Sequence, residues 1–285
     1  MAGRPRQASP NETAPTRLWP ETDRREEHLA SSLGRGLMVL RAFRIGDRHL
    51  GNAVLAERTG LPKASVSRLT NMLTGLGYLR HRPDIGKYEL APSILALCHP
   101  YLGNMPVPIV ARPFMLELAR DAQANVGLGI QDGLAMVYVE SALGEPMSGG
   151  RQRVGFSVSI AHTAMGLACL GGMPHDEREA VMERIRALSS PADWRAISAN
   201  VAEAVTQVHE RGFYLGLGTL SPTTNMLGVP FRYERGGTTM AFNCGGASPL
   251  QTAQKLLRHG PRLVKLAERV RRELEGGAVL RTVAG

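Results

Sequence analysis

The sequence predicts an α+β protein in two parts, and three observations carry that reading. The first is the run 59–90, TGLPKASVSRLTNMLTGLGYLRHRPDIGKYEL, where a Gly-Leu-Pro turn, a helical period and a charged hairpin follow one another. The second is charge. Residues 33–90 hold ten Lys and Arg against four Asp and Glu, which is +6 of the chain's net +9. The third is the remainder of the chain, which mixes helices with strands of a largely antiparallel sheet.

The N-terminal elements follow in order. Ser31 or Ser32 can cap a helix whose apolar residues Leu33, Leu37, Leu40 and Ala42 or Phe43 recur at helical spacing. Residues 44–49 are polar and read as a loop. Asn52 to Arg58 is a short second helix, with Val54 and Leu55 inward and Glu57 and Arg58 outward. Gly60-Leu61-Pro62 is a tight turn, because Gly tolerates positive φ and Pro suits the first turn of a new helix. From Lys63 on, Val66, Leu69, Met72, Leu73 and Leu76 define a buried face, and Gly77 ends the helix. The opposite face carries Lys63, Ser65, Ser67, Arg68 and Asn71, side chains that bond phosphates and base edges. Residues 78–82 and 87–90 flank Pro83-Asp84-Ile85-Gly86 and supply Arg80, His81, Arg82 and Lys87. This order is that of a winged helix-turn-helix, and its concentrated positive charge is the footprint of nucleic-acid binding.

The second part begins after a linker. Pro92 to Cys98 is a short apolar helix, broken by His99-Pro100 and the proline-bearing stretch 103–108. Val110 to Ala124 is amphipathic, with Phe114, Leu118 and Ala122 on one side and Arg112, Glu117, Arg120 and Asp121 on the other. Asn125–Ile130 and Ala135–Glu140 form a hairpin around Gln131-Asp132-Gly133-Leu134, and Phe156–Ile160 is a third strand. Thr163–Leu170 is a small-residue helix, followed by helices over 177–188 and 197–212. Further strands lie at 213–215, 226–233 and 238–244. Ser248-Pro249-Leu250-Gln251 reads as a capping box that opens a last helix to about Leu274, with a break at Gly260-Pro261.

No run of about 18 apolar residues exists to span a membrane. Residues 1–30 are rich in Pro, Arg, Glu and Thr, lack a signal-peptide core and are expected to be a disordered tail; 276–285 are expected to be a flexible one. Cys98, Cys169 and Cys244 are scattered, which suits a reducing cytoplasm. His162 with Cys169 or Cys244 forms no recognisable nucleophile motif. CxxC, HExxH and GxxxxGK[ST] are absent, so no metal or cofactor is expected. Gly245-Gly246 after a strand allows either close approach to a ligand or a turn.

These residues resemble the IclR-type bacterial transcriptional regulators. The resemblance runs from SLGRGLMVLRAF through GLPKASVSRLTNMLTGLGYL to GKYELAPSILAL, and continues more weakly through ARPFMLELA, MVYVES, TAMGLA, HERGFYLG, GVPF and MAFNCGG. It implies a winged-helix domain over 31–91, a linker helix and hinge over 92–108, and a GAF-like effector-binding and oligomerisation domain over 109–275. It further implies a pocket for a small organic acid at Thr163, Ala164, Met165, Met226, Asn243 and Gly245. A helix N-terminus at Thr163 to Met165 offers N–H groups and a positive dipole end to a carboxylate. The family's His two places before the Thr is Ala161 here, with His162 one place on. Its Gly-Lys-Ala reads Gly166-Leu167-Ala168. Its acidic residue after the aromatic strand reads Gly216 or Leu217, and its polar residue on the next strand is Met226. The pocket is therefore less polar and suits a larger, aromatic or apolar acid. The expected function is a cytoplasmic, non-enzymatic regulator that binds double-stranded DNA at a pseudo-palindromic operator as a homodimer or homotetramer, without a membrane. The alternative is a ligand-processing enzyme with an accessory DNA-binding domain.

Overall fold

A computed structural model describes residues 31–144, 153–233, 237 and 239–276. Of the tails expected over 1–30 and 276–285, residues 1–30 and 277–285 lie outside the described residues, as does Thr238 of an expected strand. The described chain divides into two compact units with the boundary between Asn104 and Met105, inside the segment expected as linker.

The first unit contains α1 (Ser32–Arg41), α2 (Asn52–Thr59), α3 (Lys63–Gly75), β1 (Leu79–Arg82), β2 (Lys87–Leu90) and α4 (Ser93–Gly103). Ser31 caps α1, its hydroxyl accepting from the Gly34 N–H at 3.0 Å. The buried face of α1 is Gly36 and Val39, with Ala42 just beyond, while Leu33 is 75 % exposed. The stripe expected at Leu33, Leu37 and Leu40 is therefore rotated. Two apolar stripes fit the same helical period, and packing on α3 selects the one that runs through Val39. The core joins these residues to Leu50, Leu55, Val66, Leu69, Leu73, Leu79 and Tyr88.

Two more expectations change here. Met72 and Leu76, assigned to the buried face of α3, are exposed, and Thr70 takes the inward place. The Thr70 hydroxyl lies 3.3 Å from Asn52 Oδ1 and 3.0 Å from the Ser67 carbonyl, which satisfies it and ties α3 to the start of α2. Arg58 does not point outward. It donates to the Ala42 carbonyl at 2.9 Å and pairs with Asp47, whose carboxylate also accepts from the Arg44 N–H at 2.7 Å. One guanidinium thus closes the α1–α2 loop onto α2.

The hydrogen bond from Arg58 holds the Asp47 carboxyl below its ordinary value of 3.8. A carboxyl with a depressed folded pKa stabilises the fold above its ordinary value, and that stabilisation is lost as pH falls through the folded one. Asp47→Asn is expected to cost about 1–3 kcal/mol at neutral pH, and the gap to wild type should close below pH 3.8. Urea unfolding across pH checks this; a difference independent of pH would refute it.

α4 runs through Pro100 to Gly103 rather than breaking at His99-Pro100, and buries none of its residues. The second unit begins at α5 (Pro106–Ala122), one turn earlier than expected, because Pro106 suits the first helical turn. Then come β3 (Asn125–Asp132), β4 (Ala135–Ala142), β5 (Ser157–Ser159), α6 (Ala164–Gly171), α7 (His175–Leu188), α8 (Pro191–Arg211), β6 (Tyr214–Ser221), β7 (Thr224–Arg232), β8 (Thr239–Ala247) and α9 (Ala253–Glu275). The strands form one antiparallel sheet in the order β5-β4-β3-β8-β7-β6.

Helices α5 and α9 pack on one face of this sheet; α6 packs on the other, backed by α8. Strand alternation sends Leu128, Val229 and Phe242 toward α5 and α9, and the opposite face is lined by Gly127, Gly129, Gly216 and Gly228. α6 sits directly on this glycine face. A Cβ at Gly228 would stand 2.3 Å from the Ala164 carbonyl oxygen.

The last helix starts later than expected and does not break. Ser248–Leu250 is a turn, Thr252 caps α9 by accepting from the Lys255 N–H, and the helix passes through Gly260-Pro261. Burial of Leu256, Leu263, Leu266 and Val270 on the sheet holds it across the proline, and the bare Gly260 lies against the Phe213 ring. Gln251, expected inside a capping box, donates to the Ala122 and Gln123 carbonyls at the end of α5.

Candidate nucleic-acid interface and ligand site

On the first unit, Lys63, Arg68 and Asn71 stand exposed on α3, with Ser65 and Ser67 half-buried beside them. They share one face because Val66, Leu69, Thr70 and Leu73 occupy the other. The Gly60 turn in front of α3 has φ +70°, a left-handed value that favours glycine.

The wing is tied to the rest of the unit by paired backbone bonds of 2.8 Å between Leu50 and Tyr88. His81 packs on the Tyr88 ring with centroids 4.8 Å apart. The wing cations are not all free. Arg80 pairs with the cross-strand Glu89 at 3.2 Å, and Arg82 holds Asp84 through two bonds of 3.2 and 3.1 Å. Glu89 also lies 3.1 Å from His49 Nε2 and 4.0 Å from Arg82. Lys87 is exposed. The sequence shows the cations but not their acidic partners. The facing of Arg80 and Glu89 becomes visible only once the hairpin register is fixed.

On the second unit, the structure brings the expected ligand residues together beneath α6. Thr163, Ala164, Met165, Met226, Asn243 and Gly245 are all buried. Thr163 caps α6: its hydroxyl donates to the Ser159 carbonyl at 2.8 Å and accepts from the Gly166 N–H at 3.1 Å. The Asn243 Nδ2 donates to the Tyr138 hydroxyl at 2.6 Å and lies 3.8 Å from the Met226 sulfur. Asn243 Oδ1 is buried and has no hydrogen-bond partner. It is 2.5 Å from where a Gly127 Cβ would stand, so only glycine leaves room for it there. The Met165 sulfur fills the same role against Gly129. Burial raises the Tyr138 hydroxyl well above the ordinary phenol range, so it is a neutral donor and acceptor. Tyr138, Gly127 and Gly129 are not among the site residues that the sequence suggests. The signal for them is the Gly-x-Gly alternation of β3, which marks one bare face of a strand.

Cys169 and Cys244 are buried, and burial pushes both thiols up to about 12. Neither is a thiolate at neutral pH. Among the described residues no helix is long and apolar enough by itself to cross a membrane, and no group of three His, Cys, Asp or Glu is arranged to hold a metal ion.

Comparison with known proteins agrees with this geometry. Residues 32–83 match the IclR helix-turn-helix domain and residues 99–243 match the bacterial transcriptional regulator IclR C-terminal domain. The chain is 32 % identical over 253 residues to the HTH-type transcriptional regulator TsaQ1/TsaQ2 of Comamonas testosteroni, covering 86 % of this chain and 89 % of that one. The crystal structure of an IclR family transcriptional regulator from Brucella abortus superposes with a TM-score of 0.75 at 36 % identity, covering 89 % of this chain and 95 % of that one. An IclR homologue from Microbacterium hydrocarbonoxydans, solved as a complex with 4-hydroxybenzoate, shares the fold with a TM-score of 0.69 at 19 % identity over 86 % of this chain and all of that one. With both of its units matched and a winged helix that carries the expected basic face, the chain belongs to the IclR family of bacterial DNA-binding transcriptional regulators.

Proposed function

We propose that this chain is a cytoplasmic, non-enzymatic one-component regulator whose operator affinity is set by a small organic acid bound between the first turn of α6 and Asn243. The exposed face of α3 enters the major groove, with Arg68 at its centre and Lys63, Ser65, Ser67 and Asn71 beside it. Arg80, His81, Arg82 and Lys87 meet the adjacent backbone.

The observation that carries the ligand reading is the Asn243 amide, whose buried Oδ1 lacks a donor. A buried acceptor left unpaired costs about 1–3 kcal/mol, so a ligand that supplies the donor recovers that free energy. A carboxylate meets the N–H groups of Ala164 and Met165 in the first turn of α6. A hydroxyl donates to Asn243 Oδ1. Met165 and Met226 form the apolar wall, and their unbranched thioethers can repack around a guest. An aromatic hydroxy acid has all three features, as does the 4-hydroxybenzoate bound by the Microbacterium relative.

The test is calorimetric titration of the full chain with benzoate and 4-hydroxybenzoate, with operator binding followed in parallel. The hydroxylated acid is expected to bind more tightly, and Asn243→Ala to remove that preference. If neither acid binds or changes operator affinity, the ligand reading fails.

Two copies complete the regulator. The exposed Leu33, Leu95 and Leu97 of α1 and α4 are covered by a second copy in this reading. Two winged helices then read the two halves of a pseudo-palindromic operator, in a homodimer or homotetramer. A ligand acts by favouring one spacing of the two, since equal affinity for both would shift nothing. In sedimentation with and without DNA, a stable monomer on one half-site would refute this.

The wing has its own expected outcome. Arg80→Ala with Arg82→Ala should weaken binding to operator and random duplex by similar factors. The log K against log salt slope should become shallower by about 0.9 for each phosphate no longer neutralised. An unchanged slope in filter binding counts against a wing that touches the backbone.

A further inference from the structure

A second cationic surface lies outside the winged helix. Helix α9 carries seven Lys and Arg against three Glu. Six of the cations, Lys255, Arg258, Arg262, Lys265, Arg269 and Arg272, recur at alternating intervals of three and four. That spacing places them along one line of the helix. All six are exposed, because Leu256, Leu263, Leu266, Val270 and Leu274 turn the other side to the sheet. At 1.5 Å per residue the line is about 25 Å long. Glu268 and Glu273 flank its C-terminal half, three or four residues from Lys265, Arg269 and Arg272, while Lys255, Arg258 and Arg262 have no acidic residue of the helix within four positions.

Surface helices are usually laced with both signs, because opposite charges three or four residues apart support one another. A line of like charge repels itself, and the N-terminal half of α9, Lys255 to Arg262, keeps one without an acidic residue of the helix at that spacing. Arg262 has an acidic partner, Asp121 at 2.6 Å; Arg269 lies 4.0 Å over the Phe114 ring; Lys255 donates to the Leu250 carbonyl at 2.9 Å. The first two of these tie the line to α5. Arg258, Lys265 and Arg272 have no ion pair among the described residues. The field of the line is felt locally: the half-buried His259 is held below its ordinary value by burial first, and then by Arg262, Lys255 and Arg258.

We infer that the exposed line of α9 is a second, sequence-independent docking strip for the phosphate backbone of duplex DNA. A duplex presents one negative charge per about 1.7 Å of its axis, so a 25 Å row of cations meets a continuous row of anions. Arg and Lys without base-reading partners beside them position a duplex and do not read it. DNA is favoured over an acidic protein because the winged helix already brings a duplex to this chain.

The experiment uses the full chain with Arg258→Gln, Lys265→Gln and Arg272→Gln combined. A charge-matched control combines Arg120→Gln, Arg186→Gln and Arg195→Gln, elsewhere on the same unit. Binding to operator and to random duplexes is measured across a salt series. The α9 variant is expected to bind both duplexes more weakly by similar factors. Its log K against log salt slope should be shallower by about 2.7, the value for three phosphates no longer neutralised. The control should keep the wild-type slope. A wild-type slope in the α9 variant, or an equal weakening in the control, overturns the inference.

Discussion

Replacing Gly166 by alanine is expected to cost about 3 kcal/mol, the upper end of the usual cost of forcing extra carbon into a packed interior. The added Cβ would stand 2.2 Å from the Ile160 carbonyl oxygen and 2.4 Å from the Ile160 Cα. Both are backbone atoms, so no rotamer change relieves the clash. The same residue gives its N–H to the Thr163 cap, so relief by shifting α6 breaks the cap as well. Gly36 of α1 is the control, because a Cβ there meets no atom within 4 Å. Gly36→Ala should be stabilising by about 0.5–1 kcal/mol through helix propensity. Urea midpoints of the two variants decide the matter. A Gly166→Ala loss below about 1 kcal/mol would mean that α6 does not sit as tightly on the sheet as described.

Arg68→Ala is expected to weaken operator binding by about 1–3 kcal/mol, the range for one good bond to a base edge. Arg68 is exposed near the middle of α3 and makes no ion pair or hydrogen bond among the described residues. Its removal should therefore leave the melting temperature unchanged and relax preference at the base pair it reads. A residue bound to phosphate would instead weaken all sequences alike. Binding as tight as wild type at the same salt would remove α3 from the groove.

The order of elements is legible in the sequence because turns and periods are local. Gly60-Leu61-Pro62, the β3–β4 turn at Gly133 and the Thr163 cap each act within a few residues, and each stands where expected. Choices settled by distant partners are not legible. Val39 rather than Leu37 faces inward because of what α3 offers, and Thr70 replaces Met72 because Asn52 is there to meet it. Pro100 and Pro261 read as breaks, yet both lie inside helices. The candidate ligand residues are reached through family resemblance. What the sequence alone hides is their polarity: Tyr138 and Asn243 are 105 residues apart and meet only across the sheet.

The place of β8 in the sheet has a consequence during synthesis. β8 lies between β3 and β7, so β3 waits for a partner that leaves the ribosome last. From Asp132 to Thr239 the chain adds roughly a hundred residues, on the order of ten seconds of translation. The winged helix, whose core closes within residues 39–88, is complete before that interval begins. A nascent or prematurely stopped chain therefore carries a finished reading head and an open strand edge, which invites chaperones and mispairing. Only at the end of that interval does β8 close the sheet and set Asn243 opposite Gly127.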